Sequence, residues 1–62
     1  MLNNFELGEM VMVIGDSEGD DPIAAELANK HGVIHDIYYG YATLTFLNGE
    51  RYKVALKNLK KL

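Results

Sequence analysis

Three tyrosines, Tyr38, Tyr39 and Tyr41, fall within four consecutive positions, and Tyr52 follows in the next apolar segment. A tyrosine ring offers a broad apolar face and a polar tip. That combination serves as a protein-interface anchor, a stacking platform for bases or a cage for cations. The same rings also close the rim of a small core while their hydroxyls stay wet. Side chains alternate along a strand, so Tyr38 and Tyr39 are expected on opposite faces, and at most part of the cluster can form one site.

A second set joins hydroxyls to cations. Thr43 and Thr45 share one parity, Arg51 and Lys53 share a parity in the segment that follows, and Lys57 lies just beyond. Hydroxyls beside cations suit phosphate contacts, which makes these five residues the candidate nucleic-acid surface, with Lys60 and Lys61 as extensions. The isoelectric point near 5.1 works against such binding, because non-specific affinity needs several unopposed cations. A solvated sheet face of Thr, Lys and Arg also protects an edge from aggregation.

Chemistry beyond binding finds little material. Asp16, Glu18, Asp20 and Asp21 are closely spaced oxygen ligands, but Gly19 precedes Asp20, against the EF-hand order. A solvated loop with a helix cap explains them, and no metal site is expected. His31 and His35 are four apart with Gly32 between them, so they do not share a helix face. Ser17 is the only serine, has no histidine near it in sequence, and there is no cysteine. Catalysis needs a nucleophile, a base and an orienting group in one pocket. The expectation is a protein that is not an enzyme and holds no cofactor.

The elements that must position these residues fit into 62 positions, one domain over 1–62. A domain this small buries only about 60% of the surface its unfolded chain exposes. With no cysteine, its staples are a partner or a second copy of the chain rather than disulfides. Met10, Met12, Ile14 and Leu47 are the apolar residues proposed for such a homo-oligomer contact. The net charge of −3 is unevenly spread: residues 1–36 hold eight acids and one base, while residues 37–62 hold five bases and one acid. No segment is long and apolar enough to span a bilayer, and no leader is legible at the N-terminus; the expected location is cytoplasmic, away from membranes.

Met10 to Ile14 is a five-residue apolar run suited to a strand, apolar on both faces, so it is expected to sit centrally or to have its second face covered. Asp16 to Asp21 reads as a loop. Asp21-Pro22 opens a helix over 22–31, with Ile23, Leu27, Ala24 and Ala28 recurring at i, i+4, and Gly32 as its stop. Val33 to Tyr39 is β-rich and ends at Gly40. Tyr41 to Leu47 alternates, Asn48-Gly49 is a type I′ hairpin signal, and Glu50 to Val54 returns. Leu56, Leu59 and Leu62 recur every third residue, which suits a 3₁₀ turn and a short closing strand. The expected core is Val11, Val13, Ile23, Leu27, Ile34, Leu44, Phe46, Tyr52, Val54, Leu56 and Leu59.

Gly8-Glu9-Met10-Val11-Met12-Val13, Gly32-Val33-Ile34, Thr43 through Gly49 and Val54 through Leu59 together resemble an outline shared by SH3-like small barrels. The outline, G-x-x-V-x-V, G-x-I, V-x-F-x-[ND]-G and L-x-x-L, belongs to KOW-type, Tudor-like and bacterial SH3-like domains. The resemblance covers most of the chain and implies a mainly β fold, a five-stranded, partly open barrel; the short helix that the residues place after the first strand departs from the usual pattern of these families. The proline-peptide signature of SH3 domains, Ala-Leu-Tyr-Asp-Tyr with a groove Trp, is missing. The turn that is basic in nucleic-acid-binding KOW domains is acidic here, Asp16 to Asp21. The function expected is a protein-interaction module, a small inhibitor or adaptor that meets a larger protein partner through Tyr38, Tyr39 and Tyr41. The size suits a stand-alone accessory protein of the kind phages and mobile elements carry. The alternative is a nucleic-acid-binding barrel that uses the Arg51, Lys53 and Lys57 face.

Overall fold

The computed structural model describes residues 5–62. The elements are β1 (Met10–Val13), α1 (Pro22–Glu26), β2 (His31–Tyr38), β3 (Tyr41–Thr45), β4 (Arg51–Ala55), a 3₁₀ turn (Leu56–Asn58) and β5 (Leu59–Lys61). All strand pairs are antiparallel and form one sheet in the order β4-β3-β2-β1-β5. The fold is therefore mainly β, with a single short helix among the described residues. The sheet is not closed: β4 and β5 are its two edges.

Alternation along the strands sends Val11, Val13, Ile34, Ala42, Leu44, Val54 and Leu59 to one face, where they are buried with Ala24 of α1. Leu27, Phe46 and Leu56 pack at the rim of this core. Two expected core residues, Ile23 and Tyr52, are instead exposed. In so short a helix Ala24, not Ile23, points at the sheet, and its small side chain lets the helix lie close. Tyr52 faces inward but sits at an edge strand, where its ring leans on Phe46 at 6.1 Å and its hydroxyl donates to Glu50. Of the two alternatives for β1 the interior position holds, since it pairs with β2 on one side and β5 on the other; its second face is part-exposed, with Met10 at 50%.

The helix is shorter than its residue pattern predicts. It ends at Glu26, and Asn29, at φ 71°, makes the left-handed reversal expected of Gly32. The sheet takes the remaining residues: the Asn29 amide donates to the Val13 carbonyl, and the Val13 amide to that of Lys30. Gly32 lies inside β2, where it makes room for the Phe46 ring.

The type I′ turn expected at Asn48-Gly49 does not form there. At Asn48-Gly49 only Gly49 has positive φ (85°). The Gly49 amide donates to the Phe46 carbonyl and the Phe46 amide to that of Glu50, both at 2.9 Å. Leu47-Asn48-Gly49 is thus a three-residue loop, a turn followed by a left-handed glycine. Gly49→Val places a β-branched residue in that left-handed position and is expected to cost about 1–2 kcal/mol. Urea denaturation checks this, and a midpoint equal to wild type refutes it. The two-residue loop with both φ values positive is Tyr39-Gly40, at 50° and 80°.

Candidate protein-contact face

The face of the sheet opposite the core carries the candidate binding residues. Cross-strand register pairs Tyr38 with Tyr41, Thr43 with Lys53 and Thr45 with Arg51. Directly opposed residues share a face, so Tyr41, Thr43 and Thr45 run along β3 beside Lys53 and Arg51 on β4. Of the five residues in the nucleic-acid set, the sheet brings together Thr43, Thr45, Arg51 and Lys53. Lys57 is turned elsewhere: its ammonium donates to Glu18 at 2.7 Å and to Asp20 at 3.0 Å. These hydrogen bonds, Glu18 first and Asp20 second, raise its pKa above the ordinary lysine value. Lys61 is likewise paired, with Glu9 at 2.8 Å. Its hydrogen bond is the main reason the Glu9 carboxyl lies below the usual carboxylate range. Among the described residues Arg51, Lys53 and Lys60 make no ion pair.

The three tyrosines gather at the tip of the β2–β3 hairpin, with Tyr38 62%, Tyr39 85% and Tyr41 44% exposed. Tyr38 and Tyr39 are not on opposite faces as strand alternation predicts. Tyr39 lies in the turn, and its positive φ returns its ring to Tyr38, with centroids 4.3 Å apart and planes at 39°. Tyr52 is not part of this group, since it faces the core side. The Leu56 amide donates to the Gly40 carbonyl at 2.9 Å and anchors the tip to the chain beyond β4.

Tyr39 is a strained choice. The left-handed region costs an L-residue roughly 1–2 kcal/mol, and turn positions of this kind favour Asn, Asp or Gly. Tyr39→Asn is therefore expected to stabilise the fold by about 1 kcal/mol. Thermal denaturation checks this, and a fall in stability would contradict it.

The acidic loop is occupied by its own backbone and by Lys57. One Asp16 oxygen accepts from the Gly19 and Asp20 amides at 2.8 and 3.0 Å. Asp21 is buried: one oxygen accepts from the Ala24 amide, and the other from the Ala55 amide and the Asn58 side-chain amide, both at 3.1 Å. The Asn58 side-chain oxygen, Oδ1, accepts from the Ser17 amide and hydroxyl. This node, which residue spacing did not reveal for Asn58 and Ser17, ties the loop, helix and 3₁₀ turn together. His31 and His35 are exposed on β2. Among the described residues no group of three or more His, Asp or Glu is placed to hold a metal ion, and no helix is long and apolar enough to cross a membrane.

At the other end of the outer face Met10, His31, Val33, Thr45 and Leu47 line an open groove of about 600 Å³. Of the four apolar residues singled out in sequence, it joins Met10 and Leu47. Met12 is half-buried beside Lys60, and Ile14 lies past the end of β1. No protein-family model matches the chain, and no curated protein and no solved structure is significantly similar to it.

Proposed function

We propose that this chain is a non-enzymatic protein-interaction module, a small inhibitor or adaptor that engages a larger protein through Tyr38, Tyr39 and Tyr41. One observation carries the reading: an exposed aromatic side chain is held at φ 50° at the apex of the tyrosine hairpin. Folding alone favours Asn or Gly there, and strained residues cluster where a surface is used. Tyr is also enriched among the few residues that dominate interface energies. The strand order, with a 3₁₀ turn between β4 and β5, supports the SH3-like reading, with the barrel open between those edges. The test is capture of the partner by the tagged chain. Tyr39→Ala together with Tyr41→Ala should weaken capture tenfold or more, about 1.4 kcal/mol, while the fold persists. Undiminished capture overturns the reading.

The second reading, nucleic-acid binding, draws on Arg51 and Lys53, which make no ion pair among the described residues, beside Thr43 and Thr45. Lys57 is already engaged by two carboxylates, which leaves Arg51 and Lys53 as the cations of that set without an ion pair among the described residues. Binding to generic DNA or RNA is expected to be weak. Two phosphate contacts lose affinity only about tenfold between 50 and 200 mM salt. Fluorescence anisotropy checks this. Sub-micromolar affinity at physiological salt, abolished by Arg51→Ala plus Lys53→Ala, would favour the second reading over the first.

A further inference from the structure

We propose that the open half of β4 accepts an extended, acidic segment of a partner protein as an added strand, over Arg51 to Lys53. The proposal rests on the protein-interaction reading and adds the partner's chemistry and a second contact.

The backbone supplies the first argument. The Phe46 amide bonds the Glu50 carbonyl, and the Leu56 amide bonds that of Gly40. With the register of β3 and β4, this makes 44 with 52 and 42 with 54 the bonded pairs. Arg51, Lys53 and Ala55 therefore turn their N–H and C=O groups away from β3. The Ala55 amide is already taken by Asp21 at 3.1 Å. Arg51 and Lys53 are left as a two-residue ladder at the edge. The other edge offers less. On β5 the outward residues are Leu59 and Lys61, and the Leu59 amide already donates to Leu56.

Charge supplies the second argument. Both residues that present free backbone groups carry cations, and neither cation makes an ion pair among the described residues. A second copy pairing antiparallel at this edge would set Arg51 and Lys53 against each other's like charges, which disfavours self-association. An incoming strand with Asp or Glu on alternate positions meets both cations and also accepts and donates along the ladder. The same face continues through Thr43 to Tyr41, so one partner can reach both the edge and the tyrosine tip.

The test uses the full chain, labelled with ¹⁵N, and a capped octapeptide of alternating Glu and Val as the probe. Amide exchange at Arg51 and Lys53 is expected to slow about threefold when the peptide stands at twice its Kd. Ala55, already bonded, should not change. The same peptide with Lys in place of Glu should give no protection, and Arg51→Glu plus Lys53→Glu should reverse the preference between the two. N-methylation of alternate peptide residues should abolish the effect, since it removes ladder donors. No slowing at Arg51 and Lys53 at about 2 mM peptide overturns the proposal, as does equal slowing by the Lys peptide. Failure of the module reading is distinct: partner capture would then ignore the tyrosine substitutions whatever the peptide does at β4. If oligothymidylate shifted these two amides more strongly than the acidic peptide, both would fall.

Discussion

Asp21→Ala is expected to bring the protein to the margin of unfolding at 25 °C. Read as a helix cap alone, Asp21 contributes about 1 kcal/mol. The structure gives its carboxylate two further donors, the Ala55 amide and the Asn58 side-chain amide, both buried. Removing the carboxylate loses the cap and leaves two buried donors unpaired, each costing about 1–3 kcal/mol. The total of roughly 3 kcal/mol or more meets a stability of about 3–9 kcal/mol for a chain of this length. Asp21→Asn should not rescue it. One end of the amide then faces donors with an N–H group, either at Ala24 or at the Ala55–Asn58 pair. Urea denaturation of both variants checks this. A loss of only about 1 kcal/mol in Asp21→Ala would mean that the node contributes nothing beyond the cap.

Gly32→Val should be nearly as damaging, for a steric reason. A Cβ at Gly32 would lie 3.1 Å from the Leu44 Cβ and 3.1 Å from the Phe46 ring. Alanine asks both the Phe46 ring and the Leu44 Cβ to give by a few tenths of an ångström. Valine adds two methyl groups on a buried strand position and must lift the ring off the sheet. Overpacking of this kind costs about 3 kcal/mol, a fall in Tm of roughly 12–24 °C. Gly32→Ala should fall between wild type and Gly32→Val. A Gly32→Val protein that melts like wild type would show that Phe46 is not packed there.

The strands were legible because alternation writes the buried face directly: Val11 and Val13, Leu44 with Ala42, and Val54 all lie where their parity puts them. Thr43, Thr45, Arg51 and Lys53 were legible for the same reason, since register only had to match opposite parities. The helix end was not. Lys30, His31 and Gly32 carry helix-terminating character, but β1 offers them backbone partners, and a ladder outweighs a weak local preference. Asn58 was hidden because a single Asn between leucines looks like turn chemistry, and its partners Asp21 and Ser17 are 37 and 41 residues away. The two turns part composition from conformation in opposite directions. Asn48-Gly49 has the type I′ composition but takes a third residue, Leu47, into the loop. Tyr39 has the wrong composition and adopts the left-handed geometry. That mismatch between residue and conformation is visible only in three dimensions, and it is what singles out the tyrosine tip.

The most direct test pairs stability with binding in one variant. Tyr39→Asn relieves the left-handed strain and removes the exposed ring, so its midpoint of denaturation should rise while its affinity for the captured partner falls tenfold or more. A Tyr39→Asn protein that binds the partner as tightly as wild type would contradict the tyrosine tip as the contact surface, whatever its stability.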